Sequence, residues 1–318
     1  MLRHAARLHI LARHERCNAS YVVPPGKGPA VAIACLRRAV KKDDVRGADG
    51  AIQALKLMRK LANSNSAASL LNLAQRSLHQ FDAIHVIACL HRLAVLKATL
   101  SPQLARSATV ATLCEKLQTM LHRGLVDSTG VAQSAWVAAT LDMHVPALRC
   151  MIAELVALAS ARAQEMSPQG LATTGWALAV LELDSCRAGP FTKRLQIEAL
   201  KRLQSFSAQD LSFTAWSLAS LAALDHPVQA AIASAAIPAL DLFAPKGLSN
   251  LAWAYASMAV PNHQLMIAIA STATQELTTF APDDLANIAC SMVLWISPDG
   301  NYSRHGQPQL LKKRQKAH

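Results

Sequence analysis

Apolar positions along this chain come in short blocks that recur at near-constant distance. Gly247 to Met258 reads GLSNLAWAYASM, and close copies begin at Leu211 (LSFTAWSLASL), Leu171 (LATTGWALAVL), Val131 (VAQSAWVAATL) and Leu285 (LANIACSMVLW). A weaker copy, IHVIACLHRLA, begins at Ile84. The anchor position holds Trp136, Trp176, Trp216, Trp253 and then Cys290, in steps of 40, 40, 37 and 37 residues. A fixed period in that range marks stacked helical units, each too small to bury its apolar face alone. Within one block, Ala215, Leu218, Ala219 and Ala222 follow Leu211 at helical spacing and make one stripe. Trp216 lies off that stripe. The spacing therefore predicts a helix with two apolar sides, one against its hairpin partner and one against the next repeat.

Helix starts punctuate the blocks. Repeats are predicted over Asp127–Met166, Ser167–Phe206, Ser207–Phe243 and Ala244–Phe280, with a partial unit from Ala281. Ser167-Pro168, Ala244-Pro245 and Ala281-Pro282 each place a small residue before a first-turn proline, and Ser207-Ala208 is the equivalent pair. Upstream, helices are expected over Ala30–Lys42, Ala51–Ala62, Ser69–Phe81 and Ile84–Leu96. Leu100–Leu125 reads as one further helix, opened by Ser101-Pro102. The fold class expected is all-α: a right-handed-type α-solenoid of helix-hairpin repeats with a period of about 37–40 residues. Burial of the motif helix on two sides also accounts for residues 247–275 carrying no charge, without a membrane span.

Composition agrees with helix: alanine inflates a hydrophobic content of 52%, while aromatics are 4%. The formal charge of +12 is unevenly spread. Residues 1–126 carry 19 Lys+Arg against 6 Asp+Glu, residues 127–296 carry 8 against 13, and residues 297–318 carry 5 against 1. The basic balance thus lies outside the clear repeats, which weakens a phosphate-binding reading of those repeats. Four regions follow. Residues 1–29 have the Arg-rich, acid-poor composition of an organellar transit peptide, ending in the linker YVVPPGKGP. Residues 30–126 are degenerate basic helical repeats, 127–296 the clear repeats, and 297–318 a basic tail expected to be disordered.

Candidate chemistry is sparse. Seven cysteines form no C-x-x-C pair, which fits a reducing compartment better than a disulfide framework or a zinc site. His79, His85 and His91 are six apart, off the spacing that places ligands on one helix face, so they read as surface or seam residues. No catalytic constellation, metal site or cofactor motif is recognisable, and a non-enzymatic protein is expected. Two features are candidate RNA contacts. Lys193, Arg194, Lys201 and Arg202 form a basic stripe in an otherwise acidic array. The position two beyond each motif's first apolar residue varies, holding Gln133, Thr173, Phe213, Asn250 and Asn287. It lies about 200° around the helix from that residue, away from the intra-repeat core. In readers that assign one base to each repeat, a varying polar position carries the code. The recurring asparagine is also open to a structural reading, a hydrogen bond across the seam.

The string P-x-x-L-a-n-x-a-W-a-l-A-x-L resembles the octotricopeptide-type helical repeats of organellar RNA-processing factors, and the leucine-rich region of FAST-kinase-like and RAP-domain proteins. The matches run Pro168 to Leu181, Ala208 to Leu221, Pro245 to Met258 and Pro282 to Leu294, within Asp127 to Trp295. The resemblance implies binding of single-stranded organellar RNA in a mitochondrion or plastid, with a role in RNA processing, stability or translation. No RAP module is recognisable after Ser297, and no kinase elements are present. The alternative is a helical-repeat scaffold that binds protein partners and no RNA. No membrane association is expected under either reading.

Overall fold

The computed structural model describes residues 48–296 apart from 259 and 261, with side chains from 52 onward. The expected transit peptide, the Ala30–Lys42 helix and the tail lie outside the described residues. All regular structure among the described residues is helical. The α-helices are α1 (Ala48–Ala62), α2 (Ala67–Ser77), α3 (Ala83–Val95), α4 (Pro102–Ala105), α5 (Ala108–His122), α6 (Ser128–Leu141) and α7 (Ile152–Ala161). They continue as α8 (Pro168–Val180), α9 (Ser185–Arg202), α10 (Ala208–Ser220), α11 (His226–Ala236), α12 (Pro245–Ser257), α13 (His263–Gln275) and α14 (Pro282–Ile296). The chain divides into two compact units whose described parts are residues 48–194 and 195–296.

Neighbours in sequence pack as neighbours in space within each unit. In residues 48–194, α1, α3, α6 and α8 stack one on the next, and α2, α5 and α7 stack beside them. In residues 195–296, α10, α12 and α14 stack in the same way, with α11 against α10 and α13 against α12. The blocks beginning at Ile84, Val131, Leu171, Leu211, Gly247 and Leu285 are therefore the stacked helices α3, α6, α8, α10, α12 and α14. As the two-sided pattern predicts, α10 and α12 are buried nearly all round: Asp210 to Leu218 of α10 and Gly247 to Tyr255 of α12 are buried without a break, whereas α14 buries only Asp284, Asn287, Ile288 and Ser291. One expected helix is two. Leu100–Leu125 is interrupted because Ser107 acts as a second N-cap, its Oγ accepting the Val110 N–H, so α4 ends after one turn and α5 starts afresh.

One junction recurs before the stacked helices. A 3-10 turn, such as Leu78–Gln80, Ala163–Glu165, Leu203–Ser205 or Leu277–Thr279, leads into an extended, buried apolar residue: Phe81, Met166, Phe206 or Phe280. The next residue caps the helix. Asp82 accepts the His85 N–H, Ser167 that of Gly170, and Ser207 that of Asp210, whose carboxylate reaches back to the Ser207 N–H. Each such cap contributes about 1 kcal/mol. Four residues beyond the cap, Val86, Leu171 and Leu211 are buried, the spacing at which an entering residue and the helix staple together. The sequence signal of a small residue before the first turn thus corresponds to a side-chain cap at Ser167 and Ser207, whereas Ala281 has no side chain that could cap. Ala244 is a further exception, with Pro245 alone marking the start.

Small residues set how close the stacked helices come. A Cβ built on Gly170 would lie 3.6 Å from Ala132 Cβ, and one on Gly247 would lie 3.5 Å from Ser212 Oγ. Ala132 and Ser212 hold the same motif position, one past the first apolar residue, so the two units use one register. Gly130 is tighter still, with Ile87 Cδ1 3.0 Å from where its Cβ would be. Polar side chains tie the hairpins. The Arg162 guanidinium donates to the carbonyls of Gly124 and Val126, where Gly124 turns at φ +66°, and the buried Tyr255 hydroxyl donates to the Gln229 carbonyl.

Candidate nucleic-acid interface

The four stripe cations all lie on α9, and α9 is not one of the motif helices. Lys193 and Arg194 belong to the first unit and are exposed. In the second unit Lys201 and Arg202 are tied to a carboxylate: Lys201 Nζ is 3.0 Å from Glu198 Oε1 and Arg202 Nη2 is 3.3 Å from Glu198 Oε2. Glu198 is buried, and a carboxylate withdrawn from water holds its cations to offset the lost hydration. Half of the stripe is therefore already engaged by the protein.

The varying motif position divides in two. Gln133 and Thr173 are half-buried, whereas Phe213, Asn250 and Asn287 are buried. Asn250 is 2% exposed and Asn287 4% exposed. Asn250 Oδ1 and Asn287 Nδ2 have no hydrogen-bond partner among the described residues, and neither atom reaches solvent. Ser134, Thr214 and Ser249 hydroxyls on α6, α10 and α12 are in the same state. Beside the asparagines, Lys246 Nζ lies 3.3 Å from Asp284 Oδ1, an ion pair joining α12 to α14 with both side chains mostly buried. Asp284 stands in the first turn of α14, where a carboxylate suits the helix dipole, and takes up this pairing as well.

Among the described residues, an exposed basic face lies on α1. Lys56, Arg59 and Lys60 are all exposed at i, i+3 and i+4, so they share one face. Residues 48–126 as a whole carry nine Lys+Arg against three Asp+Glu. Arg76, Arg106 and Arg123 in this segment are exposed as well. The sequence shows Lys56, Arg59 and Lys60 as a basic helix face; the i, i+3, i+4 spacing is the signal that ranks them above the α9 stripe.

Groups with catalytic appearance are spoken for. His85 Nδ1 is 2.6 Å from Asp82 Oδ1 and its Nε2 is 3.3 Å from the Ala54 carbonyl, so both ring nitrogens of this buried side chain already face acceptors. Burial alone favours the neutral ring, but the Asp82 hydrogen bond and charge and the Ala54 carbonyl outweigh it and raise the His85 pKa above its ordinary value. Burial opposes ionisation of Asp82 too, and the hydrogen bonds and charge of His85 reverse that and lower its pKa. His91 packs on Trp136 with ring centroids 4.6 Å apart, and burial together with the Arg92 charge pushes it down to about 4. Burial pushes the Cys89 thiol up to about 12 and, with the Glu115 and Cys150 charges, Cys114 up to about 11, which leaves no thiolate at neutral pH. Among the described residues no three His, Cys, Asp or Glu side chains group to hold a metal ion. No described helix is long and apolar enough to cross a membrane.

Comparison with family models finds no match, and comparison with curated proteins finds none.

Proposed function

We propose that this chain is a non-enzymatic helical-repeat protein that binds single-stranded RNA in a mitochondrion or plastid, acting in RNA processing, stability or translation. In this reading its helices form a right-handed-type α-solenoid with a period of about 37–40 residues, and the helix starts at Asp127, Ser167, Ser207, Ala244 and Ala281 support the period. The observation that carries the RNA reading is the exposed basic face of Lys56, Arg59 and Lys60 in a segment with nine cations and three carboxylates. Trp136, Trp176, Trp216 and Trp253 are buried, so they offer bases no stacking platform. Contact is then chiefly with phosphates, which gives salt-dependent binding that tolerates many sequences.

The test is fluorescence anisotropy of the full chain with labelled single-stranded RNA across a salt series. For single strands, each phosphate contact contributes a slope of about −0.7 in log K against log salt. The variant Lys56→Glu, Arg59→Glu, Lys60→Glu should flatten that slope by about two units and weaken binding uniformly across sequences. An unchanged slope, or no binding by the wild type, sinks the reading. In cells, crosslinking followed by sequencing should recover organellar transcripts.

The second reading, a scaffold for protein partners, is favoured by the asparagines. Asn250 and Asn287 lie inside the helix stack, where a base cannot meet them without opening the seam.

A further inference from the structure

Helix α3 holds the α1 segment at two points, and the two ties differ in kind. Just beyond the C-terminal end of α1, the Arg92 guanidinium donates from Nε and Nη2 to the Ser64 carbonyl, at 3.0 and 2.7 Å. In the first half of α1, His85 Nε2 lies 3.3 Å from the Ala54 carbonyl, while its Nδ1 lies 2.6 Å from Asp82 Oδ1. A guanidinium carries donors only, whereas an imidazole ring has two N–H donors when protonated and one when neutral. Phe81 stacks on the His85 ring with centroids 5.7 Å apart, and the residue is buried, so its two partners are fixed.

The number of protons on His85 therefore decides what α3 offers to α1. With two, the ring donates to Asp82 and to the Ala54 carbonyl at once. With one, the short contact to the Asp82 carboxylate keeps the proton on Nδ1. The Nε2 lone pair then faces the carbonyl oxygen, acceptor against acceptor. Asp82 is the one charge that bears on the ring. The elements packed against α3 are α1, α2, α5, α6 and the 97–99 turn, and no charged side chain described on them acts on His85. Lys56, Arg59 and Lys60 of α1, Arg76 of α2 and Glu115 of α5 are exposed.

The display of cations on α1 depends on this tie. Lys56, Arg59 and Lys60 share one face only while α1 is helical, and a helix of 15 residues is marginal unless it is packed. Its packed side is short, with Leu57, Met58 and Leu61 buried and Ile52 exposed. We propose that His85 is a proton-operated latch that fastens α1, and with it the phosphate-binding face, so that RNA affinity falls as pH rises. What the face binds rests on the RNA reading above. A hydrogen bond from a charged donor changes the docking equilibrium about tenfold or more, and apparent affinity follows the docked fraction. The hydrogen bond and charge of Asp82 raise the His85 pKa against the effect of burial. Fastening is therefore full below the unfolded value of about 6.5 and is lost as pH rises through the folded one.

Two measurements on the full chain test the latch, each at about pH 6 and about pH 9, on either side of the histidine range. Protection of the α1 amides in hydrogen exchange, corrected for the intrinsic rate, should fall about tenfold at the higher pH while that of α6 does not. Affinity for labelled single-stranded RNA at fixed salt should fall with it, by about threefold or more. His85→Gln should make both readouts indifferent to pH. Asp82→Asn keeps a capping residue but removes the charge that holds the proton, so it should move the midpoint of both to lower pH. A His85 that only fills space would give no such movement. Equal α1 protection at both pH values overturns the latch, as does a pH dependence that His85→Gln leaves in place. Falling protection with unchanged affinity overturns its coupling to RNA. Absence of RNA binding at every pH overturns that coupling together with the RNA reading, and the exchange result then decides the latch alone.

Discussion

Ser212 on α10 and Gly247 on α12 meet where a side chain larger than those present would hold the two helices apart. A methyl group at Gly247 would lie 3.5 Å from Ser212 Oγ, an ordinary contact, and 3.3 Å from Phe243 Cδ1, a tight one. Helix propensity favours alanine over glycine by about 0.5–1 kcal/mol. Gly247→Ala is therefore expected near neutral, and Gly247→Leu to destabilise by about 1–3 kcal/mol through overpacking. Gly130→Ala should be destabilising already, because its Cβ would stand 2.7 Å from Val126 Cγ1 and 3.0 Å from Ile87 Cδ1. Urea titration of the three variants measures the ranking, and a Gly130→Ala chain as stable as wild type would contradict it.

Two histidines on α3 should give opposite pH dependences. His85 has a raised pKa, so its stabilisation is full below the unfolded value of about 6.5 and is lost as pH rises through the folded value. Asp82, lowered, contributes above the unfolded carboxylate range and loses that contribution in acid. His91, pushed down to about 4, contributes above the unfolded histidine value and loses that stability as pH falls toward 4. His85→Gln should flatten the alkaline side of the profile of Tm against pH, and His91→Leu the acidic side between about 6.5 and 4. A profile that neither substitution changes would refute the assignment.

Asn250 and Asn287 separate recognition from packing. An orphaned buried amide atom costs about 1–3 kcal/mol, and an apolar side chain of like shape removes that cost. Asn250→Leu should be neutral or stabilising in thermal melts, with RNA affinity unchanged if phosphate contacts carry binding. A loss of affinity for one RNA sequence alone would instead show that the seam opens to admit a base.

Trp216 and Trp253 meet across the seam with ring centroids 6.1 Å apart and planes tilted by 37°, and both are buried. Trp216→Ala should cost about 3–5 kcal/mol, read as a lower Tm. Trp216→Phe should recover most of it, since the larger part is lost volume.

Much of this architecture could be read from spacing. The Trp anchors, the caps at Ser167 and Ser207 and the two buried sides of α10 and α12 appear in the structure as local chemistry, because caps and stripes depend on residues within one helix. Ser107 was legible too, as a capping residue inside Leu100–Leu125, but continuous helical periodicity masked it. Even the neutralised cations were visible as Glu198 at i−3 from Lys201 and i−4 from Arg202. What could not be read was burial across the seam. The position of Asn250 points away from the motif's first apolar residue, but in a helix covered on both sides, away from one core is into another. Lys246 and Asp284 are 38 residues apart, and no local pattern shows that their side chains meet.

The uncharged run from Gly247 to Gln275 has a further consequence for synthesis. As it leaves the ribosome, α12 presents apolar side chains on two sides before α13 and α14 exist to cover them. Nascent chains stalled with α12 outside the ribosome and α13 and α14 still inside it should therefore bind a holding chaperone more strongly than released chains, and be the first to aggregate without one. The order of emergence, more than the finished contacts, then governs the yield of folded protein.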